Sequence, residues 1–376
     1  MHDARGKKWR GLLGSALLGL GLLGCAPEDT SGTVMAYVFA RDEATGQYAL
    51  GRHPIENLES LRELRGRDLD FRKGSELNQV RLDAELDIER GEPFALEYTR
   101  EADGTFVPGD LHSLYALSLY RNLDRTASLL RAHGHVPLKR LDVFYYPRFD
   151  NLLTGDGRGD FTDNAAYVSQ VPCFLLVPSF VLNDLPMLLN EGVVAHEYGH
   201  AVIHQELFGD APASPHEEDE TWSGAHRHLS SMHEGVADLI GLVVTGEPDY
   251  IRATLDADRN LAEPRDYSEE DMLEMLKGGD DFDPHHHGSV MARAIYELWP
   301  KDEQGRITPE GRSRLLDLTL VTLRELRFEQ TTFTLASFPN ALVTHLNAQE
   351  RAAACTVLRA RLAPLSGFLT SCEATR

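Results

Sequence analysis

Apolar residues follow two different spacings along this chain. In the first hundred residues they form short runs, Val34 to Phe39 and Phe94 to Tyr98, between turn-rich and charged stretches. Short runs bounded by turn residues read as strands, so residues 34–105 are expected to form a small β-containing N-terminal module. From Leu111 to Ala132 the spacing becomes that of an amphipathic helix, which stops before Gly134. Leu141 to Tyr146 then reads as a strand, followed by a Gly/Asp-rich turn over 155–160. Two more strand-like runs follow, Asn164 to Val168 and Cys173 to Val177. A mostly apolar helix is expected over about 186–207, with Pro186 suiting its start and Gly209 its stop. A further helix is expected to open at Ser231. The remainder, about 230–376, reads as a helical subdomain of one larger domain over 106–376. Strands first and helices later argue for an α+β fold.

Composition narrows the setting. The chain has 376 residues and a formal net charge of −22, and no basic stripe points to nucleic acid. Its first 24 residues have the form of a signal peptide. Lys7, Lys8 and Arg10 precede an apolar run over 11–24 that is too short to span a bilayer. The run ends Leu22-Leu23-Gly24-Cys25, which resembles a bacterial lipobox. That resemblance implies cleavage before Cys25, lipidation of Cys25, a polar tether over 25–33, and an exported cell-envelope lipoprotein. Removing residues 1–24 takes away four basic residues and one acidic residue, leaving 33 Lys+Arg against 58 Asp+Glu. Such a chain would meet a membrane through the lipid alone. Of the other cysteines, Cys355 and Cys372 are the preferred disulfide pair, which leaves Cys173 as an odd, buried thiol.

The candidate chemistry lies inside the apolar helices. His196-Glu197-Tyr198-Gly199-His200 puts two imidazoles one helical turn apart on one face, flanked by Val193-Val194-Ala195 and Ala201-Val202-Ile203. Two such histidines can hold a zinc ion, and Glu197 can take a proton from a zinc-bound water. Glu234 is the best candidate for a third ligand. Its spacing from Ser231 also fits a helix-capping box, but that reading leaves Asp238 unexplained. Asp238 sits one turn on, between Val236-Ala237 and Leu239-Ile240, where two like charges would repel. A cation on Glu234, with Asp238 accepting the second N–H of a ligating histidine, accounts for all four polar residues.

With these motifs the chain resembles the gluzincin metallopeptidases of the thermolysin and fungalysin type, over roughly residues 110–345. The resemblance implies a zincin-like fold, with a small mixed sheet behind the active-site helix. It implies His196, His200 and Glu234 as zinc ligands, Glu197 as general base and Asp238 as a buttress to His196. It also implies that His285 donates a hydrogen bond to the reaction intermediate, oriented by Asp280, with His287 as the alternative. Asn164-Ala165 would hold the substrate backbone along a sheet edge. His233 would play a supporting role. The acidic run Glu217-Glu218-Asp219-Glu220 has the ligand chemistry for Ca2+, as in relatives, although its spacing matches no EF-hand loop and a solvated loop explains it as well.

Two departures stand out. The segment from Ala201 to Met232 is long and contains no tyrosine where these enzymes often place one beside the oxyanion; His226, His228 or Trp222 could take that space. The region before residue 110 is also short for the large propeptide common in the family. The metzincin pattern fails, because Ile203 and Glu206 stand where a glycine and a histidine are required. The expected function is a lipid-anchored zinc endopeptidase acting on peptide or protein substrates. The alternatives are a catalytically inactive zinc-binding surface protein with a protein partner, and a hydrolase of non-peptide amides.

Overall fold

The computed structural model describes residues 29–43, 45–78, 87–150, 164–169, 171–178, 185–209, 224–255, 258–278, 282–327 and 332–375. Strands β1 (Gly32–Arg41), β2 (Tyr48–Ser60), β3 (Arg65–Gly66), β4 (Leu69–Lys73), β5 (Glu76–Asn78), β6 (Asp87–Glu89), β7 (Glu92–Pro93), β8 (Tyr98–Arg100) and β9 (Phe106–Pro108) precede helix α1 (Leu111–Ala132). Then come β10 (Leu141–Tyr145), β11 (Arg148–Asp150), β12 (Asn164–Val168) and β13 (Cys173–Val177). Helices fill the rest: α2 (Glu191–Phe208), α3 (Gly224–Thr245), α4 (Glu269–Lys277), α5 (Pro284–Tyr296), α6 (Pro309–Glu325), α7 (Ser337–Leu342) and α8 (Ala348–Arg361). The arrangement is mixed α+β. Among the described residues no helix is long and apolar enough to cross a membrane.

The expected break near residue 105 is not a break in the sheet. One ten-stranded mixed sheet runs β12-β13-β10-β4-β3-β2-β1-β9-β8, with β7 also on β4. β4 lies parallel to β10, and β10 parallel to β13, so the N-terminal strands and those before α2 form one surface. The small sheet that the resemblance implied is thus too small. The pairing of β4 with β10 is long-range, and nothing in either strand's own pattern announces it. Val34, Ala36, Val38 and Ala40 alternate inward along β1, as a half-buried strand requires. The expected strand at Phe94 to Tyr98 is irregular chain as far as Glu97, and Tyr98 opens β8. Phe94 and Leu96 are buried there, but their N–H groups bond to Phe71 and Arg62 rather than to a regular ladder.

Two helix starts also differ from expectation. α2 begins after Asn190, whose side chain accepts from Gly192 N–H at 2.9 Å, and Pro186 instead opens a single 3-10 turn. α3 begins at Gly224, so Ser231 lies mid-helix and caps nothing. Ala225, Leu229, Met232 and Val236 carry one apolar stripe through it.

Helices α2, α3 and α5 pack as a close layer. A Cβ on Gly199 would lie 2.9 Å from the Ala237 Cα, and one on Gly288 would lie 2.4 Å from the Ser231 carbonyl oxygen. Glycine at these crossings brings His200, Glu234 and His285 onto touching backbones. The N-terminal strands hold both α2 and α3. Tyr48 of β2 donates to Asn190 Oδ1 at 2.9 Å, and Arg41 of β1 donates to the carbonyl of Thr245 at the end of α3 at 3.0 Å. Cys355 and Cys372 form a disulfide with Cα atoms 5.4 Å apart, and Cys173 is a buried free thiol. Burial pushes the Cys173 thiol up to about 12.

Candidate metal centre

Helix α2 is buried along most of its length, so its polar side chains must find partners inside the protein. His196 and His200 meet edge to face, with their Nε2 atoms 3.2 Å apart. Glu234 reaches across from α3, its Oε2 3.2 Å from His196 Nε2 and its Oε1 3.7 Å from His200 Nε2. Ligand atoms about 2.0–2.2 Å from one tetrahedral zinc stand about 3.3 Å from each other. The three separations suit that arrangement. Glu197 also belongs to the cluster, since His196, Glu197 and His200 can each offer a ligand atom within 4.8 Å of the others.

Charge and orphaned atoms test whether a cation fits. Glu234 Oε2 is buried without a hydrogen-bond partner. Asp238 lies behind His196, with Oδ1 3.0 Å from Nδ1. That oxygen also accepts from the Tyr250 hydroxyl at 2.6 Å and from Arg259. Burial alone would raise the Asp238 pKa, but Arg259 and His196 hold it below the ordinary carboxylate value. Asp238 therefore accepts from His196 Nδ1–H and leaves the Nε2 lone pair facing Glu234. Burial and Arg259 pull the His196 pKa down, yet Asp238 and Glu234 outweigh them and lift it to about 9. Burial drops His200 to about 3. A divalent cation would satisfy both imidazoles and the orphaned oxygen at once, so these residues fit a metal.

Glu197 points to the same region. The backbone N–H of Tyr167, on β12, donates to its Oε2 at 3.1 Å. Burial, with the charge of Glu234, raises its pKa to about 7 against the pull of His196. A base with that value suits proton transfer near neutrality.

The remaining sequence candidates fall into place unequally. His285 is in the first turn of α5, about half exposed, with Nε2 3.3 Å from Glu234 Oε2 and Nδ1 3.1 Å from Asp283 Oδ1. His286 pairs instead with Asp271 at 2.9 Å. His287 is fully buried, stacked on Phe282 and beside Tyr267, with no hydrogen-bond partner on either ring nitrogen. Asp280, Trp222, Cys25 and the acidic run 217–220 lie outside the described residues. Asn164 and Ala165 begin β12, the edge strand beside β13, and β12 packs on α2. His228 is buried and accepts the Leu335 N–H at 3.2 Å, so it serves the fold. His233 stacks on His200 with ring centroids 6.2 Å apart. His204 faces the Tyr167 hydroxyl at 2.9 Å.

Arg259, Tyr250 and the Tyr167 N–H are the site residues that sequence reasoning missed. Arg259 and Tyr250 lie in the irregular stretch between α3 and α4, where no periodicity marks them. A backbone N–H has no sequence signature at all.

No protein-family model matches this chain, and no curated protein matches it in sequence. Among solved structures it is similar to the precursor of protealysin, a metalloproteinase from Serratia proteamaculans. The similarity has 12% identity and a TM-score of 0.43, over 77% of this chain and 85% of that one.

Proposed function

We propose that this chain is a zinc-dependent endopeptidase in which Glu197 activates the attacking water. One observation carries the reading. His196, His200 and Glu234 converge with separations of 3.2, 3.2 and 3.7 Å, Glu197 stands in the same cluster, and the buried Glu234 Oε2 has no hydrogen-bond partner. When bound, zinc would polarise the scissile carbonyl and acidify water. Glu197, held through one oxygen by Tyr167, takes the proton from the water and returns it to the leaving amine. Asp238 keeps His196 in the tautomer whose Nε2 faces the cluster. His285 donates from Nε2 to the oxyanion, oriented through Nδ1 by Asp283. An extended substrate pairs its backbone with the edge strand β12 at Asn164 and Ala165.

The same reading anchors the protein to the cell envelope through lipid on Cys25. The sequence 22–25 supports this, and Cys25→Ser is expected to move the protein to the soluble fraction. The activity itself is tested on a library of unstructured peptides. Cleavage should stop on chelation and return when zinc is supplied. Cleavage indifferent to chelation would overturn the proposal.

A further inference from the structure

A second candidate site shares no residue with the metal centre. A cavity of about 210 Å³ opens among α1, the end of α3 and the start of α6, lined by Arg125, Leu129, His133, Val243, Val244, Pro309, Arg312 and Ser313. Every ionisable side chain lining it is basic; His133 is already paired with Asp317 at 2.6 Å, which leaves the two arginines as the cavity's anion-binding groups. Arg125 and Arg312 come from different helices and face one apolar wall of Leu129, Val243, Val244 and Pro309.

The two guanidinium groups are unequally matched. Arg125 pairs with the fully buried Glu191 at 3.0 Å, and with Glu43, whose side chain is 72% exposed. Arg312 donates to the Val243 carbonyl at 3.2 Å, and its buried Nε has no hydrogen-bond partner. Among the described residues Arg312 makes no ion pair. Burial above all holds Arg312 below the ordinary guanidinium value. Glu43 opposes this, and the like charges of Arg306, Arg41 and Arg125 add to it. A counter-anion would relieve that arrangement. Glu43 already brings a carboxylate onto Arg125 from the solvent side, and an exposed side chain can be displaced.

We propose that this cavity binds a carboxylate bearing a short aliphatic group, with the carboxylate on Arg125 and Arg312 and the aliphatic part on the Leu129–Val243–Val244–Pro309 wall. Planar guanidinium donors suit a carboxylate, and the apolar wall favours an aliphatic acid over a bare inorganic anion. The source is either a free small acid or the C-terminus of a peptide.

The test is thermal unfolding of the full chain at fixed ionic strength with butyrate, N-acetyl-leucine, phosphate or chloride. Butyrate or N-acetyl-leucine should raise the Tm saturably above the chloride value, with phosphate giving the smaller shift. The better of the two tells a free acid from a peptide terminus. Arg312→Gln should abolish the shift, and Glu43→Ala should lower the half-saturating concentration. If Arg312→Gln fails to fold, Ser313→Glu replaces it, because this exposed lining residue would put a competing carboxylate at the cavity. Equal shifts in butyrate, N-acetyl-leucine and chloride would overturn the proposal. So would a butyrate shift that survives in Arg312→Gln or Ser313→Glu. Neither result bears on metal binding or peptide cleavage.

Discussion

Helix α2 carries two polar clusters, one half-buried and one buried, and the contrast between them separates scaffold from site. At its C-terminal end Glu206 accepts from His135 at 2.6 Å and from Arg324 at 3.0 Å. Gln205 beside it donates to the Val136 carbonyl at 2.7 Å and accepts the Leu138 N–H at 3.0 Å. Those groups are matched within the protein. Two turns earlier, His196 and His200 face each other and Glu234, and Glu234 Oε2 and Asp238 Oδ2 have no hydrogen-bond partner. Buried polar atoms are almost always satisfied in folded proteins. Here the orphans stand beside two imidazole nitrogens and a carboxylate, the donor set that a metal ion would complete.

Breaking the two clusters should have different consequences. The largest effect is expected from Glu197→Gln, which keeps the shape of the candidate metal centre and removes its proposed base. Peptide cleavage should fall by roughly 10²–10⁴-fold, the range for losing general-base catalysis, with metal content unchanged. Steady-state kinetics beside elemental analysis checks this. Gly288→Ala comes next, because its Cβ would meet the Ser231 carbonyl oxygen at 2.4 Å and the Gly235 nitrogen at 2.6 Å, both backbone atoms. Forcing α3 from α5 should cost about 1–3 kcal/mol and weaken metal retention, since Glu234 and His285 flank that contact. Denaturant titration with and without zinc would show both effects.

Glu206→Gln should behave in the opposite sense. It removes a carboxylate from a matched cluster, so stability should drop by about 1–3 kcal/mol while metal content stays the same. If zinc were lost with Glu206, the two clusters would not be independent. A last contrast concerns pH. Burial first, then His287 and Arg227, hold His228 near about 4, and burial with the neighbouring His286 does the same for His287. Both bind a proton more readily once unfolded. Their contribution to stability is thus complete above about 6.5 and is lost as pH falls toward about 4. The urea midpoint of the metal-free protein should be lower at pH 5 than at pH 7.5, and His287→Gln should flatten that slope.

How far each part could be read from the sequence follows from how local its cause is. The strands Asn164–Val168 and Cys173–Val177 and the helix Leu111–Ala132 were legible to the residue, because periodicity and turn residues bound them. His196, His200, Glu234 and Asp238 were legible because four ionisable groups inside apolar helices need a shared reason. The long sheet was not legible, since the pairing of β4 with β10 depends on residues about 70 apart. That α3 already runs from Gly224 was hidden by a capping signal at Ser231 that the helix does not use. Arg259 and Tyr250 complete the support of Asp238 from an irregular loop, and Tyr167 does so for Glu197 through a backbone N–H.

The central claim is that His196, His200 and Glu234 together hold one metal ion. The direct measurement is zinc content by mass spectrometry of purified mature protein, wild type against Glu234→Ala. The account predicts about one zinc per chain in the wild type and its loss in the mutant. A wild type that takes up no zinc even when it is supplied, or a mutant that keeps its zinc, would contradict it.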